Sequence, residues 1–332
     1  MLGPGGFRFL LAWMVVVEHV SRFEIGKVAV MAFFTLSGFW VTRVFQERYI
    51  HVAAGIPVFY LSRFLRIWPL YIAVFLVTVL LFKLLQFPIH SNIWIALPIL
   101  GVATHQTDIL GVTWSLDIEV QFYLLLPIIA LFLSKLQTLR QRGGFFACAL
   151  LLWGVGLLLG GRYEMETVLL YLPLFLMGAT MYLYELKPGK RMAHVSILVF
   201  FVMAFCAVLT PDLRPYLIYG SGSNFADKVF ALFWVIFLLP FIAFNVRQKS
   251  GRIDRHLGNL SYTIYLVHFP ATRIVRNLLG GDMSDIGKLL FLVFVFLVSL
   301  AFYALFEVRF EHWRRRIVSY VQTNLSFYQT RR

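Results

Sequence analysis

The sequence is short of charge. Only 14% of its 332 residues are Asp, Glu, Lys or Arg, against about a quarter in ordinary soluble domains. With 60% hydrophobic residues and a mean hydropathy of +0.78, this excludes both a soluble enzyme and a disordered chain. Cysteine is nearly missing. Cys148 and Cys206 both fall inside apolar runs, which excludes a disulfide framework and predicts two core residues. Familiar catalytic signatures are also lacking: there is no G-x-S-x-G elbow, no Walker loop, no G-x-G-x-x-G and no H-E-x-x-H. No metal is expected. The apolar stretches are continuous rather than alternating, which argues against a transmembrane barrel. What remains is an all-α polytopic membrane protein, a bundle of helices.

A span needs about 20 mostly apolar residues. Ten such stretches are predicted, at about 7–22, 26–45, 66–86, 114–134, 144–160, 166–185, 193–210, 227–246, 257–279 and 287–308. A shorter apolar piece at about 93–104 is expected to be re-entrant or interfacial. The first stretch resembles a signal peptide only in its run Phe9–Val17. Arg8, Glu18 and His19 interrupt it and no small-x-small cleavage site follows, so a retained helix that faces protein is expected. The expected division is a transmembrane domain over 1–310 and a basic cytoplasmic tail over 311–332.

The formal net charge is +14, which in a soluble protein would point to nucleic acid. With the N-terminus placed in the cytoplasm, 21 of the 30 basic residues fall on the inner side. The outer side keeps nine of them with 11 of the 16 acidic residues, and the stretch 87–113 has no Lys or Arg. The excess is therefore a topology signal. Both termini are expected in the cytoplasm, and no nucleic-acid partner is expected.

A charge at mid-membrane costs roughly 2.5–3.5 kcal/mol even on lenient scales, so ionisable residues inside the spans mark candidate function. Arg8 and His19 share the first helix, eleven residues and about 16 Å apart. They read either as an interfacial cation and a satisfied core imidazole, or as a cation at one depth and an acid–base group at another. Trp114, Asp117 and Gln121 share one face of a predicted helix, and Glu119 and Tyr123 share another. Either carboxylate reads as a helix-start acid or as an orienting partner for His19. Arg63 and Arg66, in a predicted cytoplasmic loop, read as topology anchors or as a phosphate clamp. His268 and Glu307 read as helix-packing partners or as site residues. Gly156-x-x-x-Gly160 reads as internal packing.

Five segments together resemble the acyltransferase-3 family of membrane acyltransferases. They are Arg8-x10-His19; Phe33-Phe-Thr-Leu-Ser-Gly-Phe39; Arg63-x-x-Arg66 followed by Trp68-Pro-Leu-Tyr71; Trp114-Ser-Leu-x-x-Glu119-x-Gln-Phe-Tyr123; and Leu257-Gly-x-x-Ser-Tyr-x-x-Tyr-Leu-x-His268-x-Pro270. They occur in the family's order over nearly the whole chain. Asp117 stands where the family commonly has a small polar residue, and Val120 where a second Glu is frequent. The second departure points to Glu119 as the acid that counts.

The resemblance implies an integral-membrane O-acyltransferase of a bacterial inner membrane, using acyl-CoA, usually acetyl-CoA. The implied acceptor is a hydroxyl of a polysaccharide or lipid-linked oligosaccharide. The family's essential pair corresponds to Arg8 and His19, and its donor-side motif to Arg63 and Arg66. On this expectation Arg8, Arg63 and Arg66 bind the anionic donor. His19 acts as general base or transient acyl carrier, with Glu119 or Asp117 on its other ring nitrogen. Glu18, Trp114 and His268 contact the acceptor, and Gly38 permits close backbone approach at the oxyanion. Membrane lipids, and in one arrangement a second copy of the chain, are the remaining expected partners. The competing expectation is a transporter or flippase of a lipid-linked sugar, weakened by the lack of a repeat between the two halves.

Overall fold

The computed structural model describes residues 2–52, 54–89, 91–105 and 108–329. Arg331 and Arg332, counted with the inner charges above, lie outside the described residues. Among the described residues the secondary structure is helical apart from one isolated bridge between Phe23 and Ile218. The helices are α1 (Pro4–Val20), α2 (Gly26–Arg48), α3 (Gly55–Leu84), α4 (Val102–His105), α5 (Thr113–Lys135), α6 (Leu139–Tyr163), α7 (Val168–Leu183), α8 (Lys190–Leu209), α9 (Asn224–Trp234), α10 (Leu239–Asn245), α11 (Arg252–Leu279), α12 (Asp285–Phe302) and α13 (Val308–Gln329). A short 3₁₀ turn, Val235–Leu238, joins α9 to α10, and a π-helical turn, Tyr303–Glu307, joins α12 to α13.

Each of the ten predicted stretches falls on a helix, with α9 and α10 sharing one. Among the described residues, seven helical segments are long and apolar enough to cross a membrane. The three stretches outside that set have a physical reason. α1 and α7 are short, at 17 and 16 residues, and α11 carries polar residues along its middle, His256, Asn259, Ser261 and His268 among them, as well as charge at both ends. The predicted piece at 93–104 is a 3₁₀ turn, Ser91–Ala96, followed by the single helical turn of α4.

The outer surface of the bundle is apolar. Leu151 of α6, Phe201 and Phe205 of α8 and Leu290 of α12 are 74%, 64%, 64% and 64% exposed. A water-facing surface would not tolerate such a belt, whereas lipid tails accept it without cost. Cys148 and Cys206 sit on this outward surface, which corrects the expectation that they are core residues. α6 and α8 are each only 17% buried over their apolar windows, so an apolar residue on them usually points outward.

Two helix pairs position the site. α2 lies along α7, and α1 along α11. The first pair is close because Gly38 faces the Phe175 backbone and Gly178 faces that of Thr35. Gly38 is therefore a packing glycine against α7, which corrects its expected place at an oxyanion. The second pair also meets through glycines. A Cβ on Gly258 would lie 2.9 Å from the Gly5 Cα, and one on Gly5 would lie 1.7 Å from the Asp254 carbonyl oxygen. The Asp254 carboxylate caps α1 across this contact, accepting from the Gly5 and Gly6 amides at 3.0 and 2.8 Å and from the Ser250 hydroxyl at 2.6 Å. A carboxylate at a helix N-terminus satisfies free N–H groups and complements the dipole. Burial works to raise the Asp254 carboxyl. The Ser250 hydroxyl and the Gly6 and Gly5 amides overcome it and hold the group below its ordinary value. Gly156 and Gly160 pack internally, against the Leu170 backbone and the Phe225 ring.

Candidate active site

α3 begins at Gly55, eleven residues before the predicted span. Arg63 and Arg66 are therefore helical residues facing the bundle interior, which corrects their expected place in a loop. They share one helical face and open onto a cavity of about 530 Å³. Six guanidiniums line it: Arg8 of α1, Arg63 and Arg66 of α3, Arg255 of α11, and Arg314 and Arg315 of α13. Two carboxylates oppose them there, Glu119 and Glu311. Arg66 is fixed by Asn259 at 3.1 Å and by Glu307 at 3.4 Å. Glu307 enters from the π-helical turn and accepts from the Thr263 hydroxyl at 2.9 Å. The buried Nε of Arg63 has no hydrogen-bond partner among the described residues. A strongly cationic cavity with an unpartnered buried donor suits a polyanionic ligand.

The predicted helical faces of α5 are realised, and they separate the two acids. Glu119 Oε1 accepts from the Ser37 hydroxyl and the Tyr123 hydroxyl, both at 2.6 Å. It stands on the cavity wall, in the electrostatic neighbourhood of Arg8. Asp117 is fully buried. It accepts from the Ala103 amide and from Gln121 Nε2, both at 2.9 Å. Gln121 Oε1 in turn accepts from the Val168 amide at 2.9 Å. Asp117 thus ties α4 and the start of α7 to α5.

Beyond the cavity a column of rings continues through the bundle. Tyr265 lines the cavity, and its hydroxyl lies 2.7 Å from Ser115 Oγ. Its ring lies 5.9 Å from that of His268. His268 stacks on His19 at 5.2 Å with 27° between the rings, and Phe269 meets His19 edge-on at 5.0 Å. Gly111, at φ +69°, gives room to the Phe269 ring, which a Cβ would approach to 2.1 Å. His268 is completely buried. Its Nδ1 faces the carbonyls of Ile264 and Tyr265 at 3.2 and 2.9 Å. Both partners are acceptors, so Nδ1 carries the hydrogen and Nε2 presents a lone pair. That Nε2 is buried without a partner among the described residues.

The remaining predicted residues make contacts of their own around this column. Glu18 Oε2 accepts from the Gly26 and Lys27 amides at 2.5 and 3.1 Å and caps α2. Trp114 lies under Lys228, whose Nζ is 3.9 Å from the ring centroid. Lys228 pairs with Glu166 at 2.5 Å. The structure therefore brings Arg8, Arg63, Arg66 and Glu119 to one cavity and His19 and His268 to one stack. Asp117, Glu18 and Trp114 serve neighbouring contacts, and the polar groups bonded to the two acids of α5 do not include His19.

The model of the acyltransferase-3 family, described as an acyltransferase domain, matches residues 2–308. The chain belongs to this acyltransferase family. No curated protein and no solved structure matches it. With seven helical segments long and apolar enough to cross a bilayer, the acyltransferase is a multi-pass membrane protein. Its site includes residues that the sequence reading passed over. Arg255, Arg314 and Arg315 looked like topology charges, because positive-inside anchoring and ligand binding leave the same mark. The division at 310/311 falls inside α13, whose Glu311, Arg314 and Arg315 line the same cavity as Arg8. Ser115 and Tyr265 stood within quoted motifs, and no spacing rule could show that they meet.

Proposed function

We propose that this protein transfers an acyl group, acetyl in the first instance, from cytoplasmic acyl-CoA to a hydroxyl of an extracytoplasmic or lipid-linked sugar of a cell-surface glycan. The observation that carries the reading is the meeting of an arginine-lined cavity with the Tyr265–His268–His19 column. In this reading ten helices cross a bacterial inner membrane, and both termini lie in the cytoplasm.

The cationic cavity receives the anionic end of the donor, with Arg63, Arg66 and Arg8 along its wall. From Gly258, at the level of the α1 cap, to His268 is ten residues of α11, about 15 Å. A pantetheine arm spans a distance of that order. His19 is the general base on the acceptor hydroxyl. The hydroxyl oxygen attacks the thioester carbonyl carbon, the C–S bond breaks, and the departing thiolate takes up the proton that His19 removed. A covalent variant has the imidazole nitrogen accept the acyl group first and pass it to the hydroxyl. His268, with its tautomer fixed and Nε2 unpartnered, lies against His19 as the second imidazole and accepts a hydrogen bond from the acceptor. Glu119 holds Tyr123 and Ser37 beside the donor path. The remote caps made by Asp117 and Glu18 keep α5 and α2 in register.

Mass spectrometry of the surface glycans of cells with and without the protein tests this function. The expected result is loss of an O-linked acyl group from one glycan; identical glycans contradict it. Incubation of purified protein with radiolabelled acetyl-CoA and no acceptor separates the two chemistries. Label trapped on His19 favours the covalent variant, and unlabelled protein with intact turnover favours direct attack.

A further inference from the structure

Glu311 is the most heavily clasped carboxylate in the cavity. Arg314 grips it with both arms of the fork, Nε to Oε2 at 2.8 Å and Nη2 to Oε1 at 2.7 Å. Arg315 Nε reaches Oε1 at 2.8 Å. Arg66 Nη1, from a different helix, approaches Oε2 at 3.5 Å. All four residues line the cavity. Pairs three and four apart on one helix are ordinary surface chemistry. The convergence of a third guanidinium from α3 inside a cavity is not.

Two of the three arginines are also held from behind. Arg314 Nη1 donates to Ser62 Oγ at 3.1 Å, and Arg66 is held by Asn259 and Glu307. Arg314 and Arg66 therefore keep their places whether or not Glu311 sits between them, while Arg315, 74% exposed on its side chain, is free to close on an anion from the open side. Three planar forks aimed at one point recognise a tetrahedral oxyanion as well as a carboxylate. A phosphate monoester carries close to two charges and three acceptor oxygens, against one charge and two oxygens for Glu311. It matches three cations better.

We infer that Arg66, Arg314 and Arg315 form a subsite for a phosphate monoester at the nucleotide end of the donor, and that Glu311 fills this subsite until the phosphate displaces it. The inference rests on the acyl-CoA reading above and adds the C-terminal helix to the donor site. α13 is then a working wall of the enzyme, and Glu311 is an internal competitor that sets donor affinity.

Equilibrium binding of CoA, dephospho-CoA and pantetheine to the purified full-length protein in detergent tests it. Dephospho-CoA keeps the diphosphate and lacks the monoester, and pantetheine lacks both. The wild type should bind CoA about tenfold or more tighter than dephospho-CoA, as expected for charge-assisted bonds. Glu311→Gln should raise that ratio severalfold by removing the competitor. Arg314→Ala should bring it toward one. Arg315→Ala, at a residue 74% exposed on its side chain and so tolerant of change, should lower it as well and stands in if Arg314→Ala fails to fold. Equal wild-type binding of CoA and dephospho-CoA, with pantetheine weaker, overturns the monoester subsite and leaves the donor reading standing. A ratio unmoved in all three variants, or lowered in Glu311→Gln, also overturns it. A wild type that binds none of the three ligands overturns both the inference and the donor reading.

Discussion

At the residue scale, burial and hydrogen bonding separate groups that look alike in sequence. Asp117 and Glu119 are two positions apart on α5, yet one ties three segments together and the other faces the cavity. Asp117→Asn should therefore lower stability by about 1–3 kcal/mol, because it leaves a buried donor mispaired. It should leave the kcat of the folded fraction near the wild-type value, which a thermal melt paired with an acyl-transfer assay would check. Glu18 belongs with Asp117, since its carboxylate is spent on the start of α2. His268→Ala should lower kcat by about 10²-fold or more if the second imidazole takes part in proton handling, with donor KM little changed. The faces shared by Asp117 with Gln121 and by Glu119 with Tyr123 were legible from helical spacing. Which face met the cavity was not, because that depends on the rotation of α5 against α2 and α4.

At the scale of elements, the α1–α11 pair sets the distance between the two histidines. Gly5 and Gly258 let the helices touch at one end, and His19 and His268 meet further along. Gly258→Val should push the helices apart, cost stability by roughly 1–3 kcal/mol through overpacking and reduce transfer, read by thermal shift and activity together. The Asp254 cap carries a pH signature. Its carboxyl is held below the ordinary value, so its contribution is complete above about pH 4 and is lost as the pH falls further. Asp254→Asn, which removes the negative charge from the α1 N-terminus, should be less stable than the wild type by about 0.3–1 kcal/mol at neutral pH. That gap should close at strongly acid pH, which melting curves over a pH series would show. The sequence disclosed the existence of nearly every helix through its apolar runs. It misplaced the start of α3, because Arg63 and Arg66 look like loop charges to a hydropathy window and become interior only when α1, α11 and α13 surround them.

At the scale of the whole molecule, the excess of positive charge has two origins that composition cannot separate. Part of it follows the positive-inside pattern expected of a membrane chain, and part gathers in the cavity as six arginines from four helices. The first part was visible by counting, and the second needed the fold. Charge gathered in a cavity draws anions at long range, an effect that salt screens within about 10 Å at 0.1 M. Donor binding should therefore weaken as ionic strength rises, and Arg63→Ala with Arg66→Ala should flatten that dependence while leaving acceptor KM unchanged.

The central claim is that the acyl group passes from a donor in this cavity to an acceptor at His19. Proteoliposomes holding wild-type or His19→Ala protein, given radiolabelled acetyl-CoA and the glycan acceptor, test it most directly. The account predicts donor-dependent labelling of the glycan by the wild type, and none by His19→Ala at equal membrane content. Undiminished labelling by His19→Ala contradicts it.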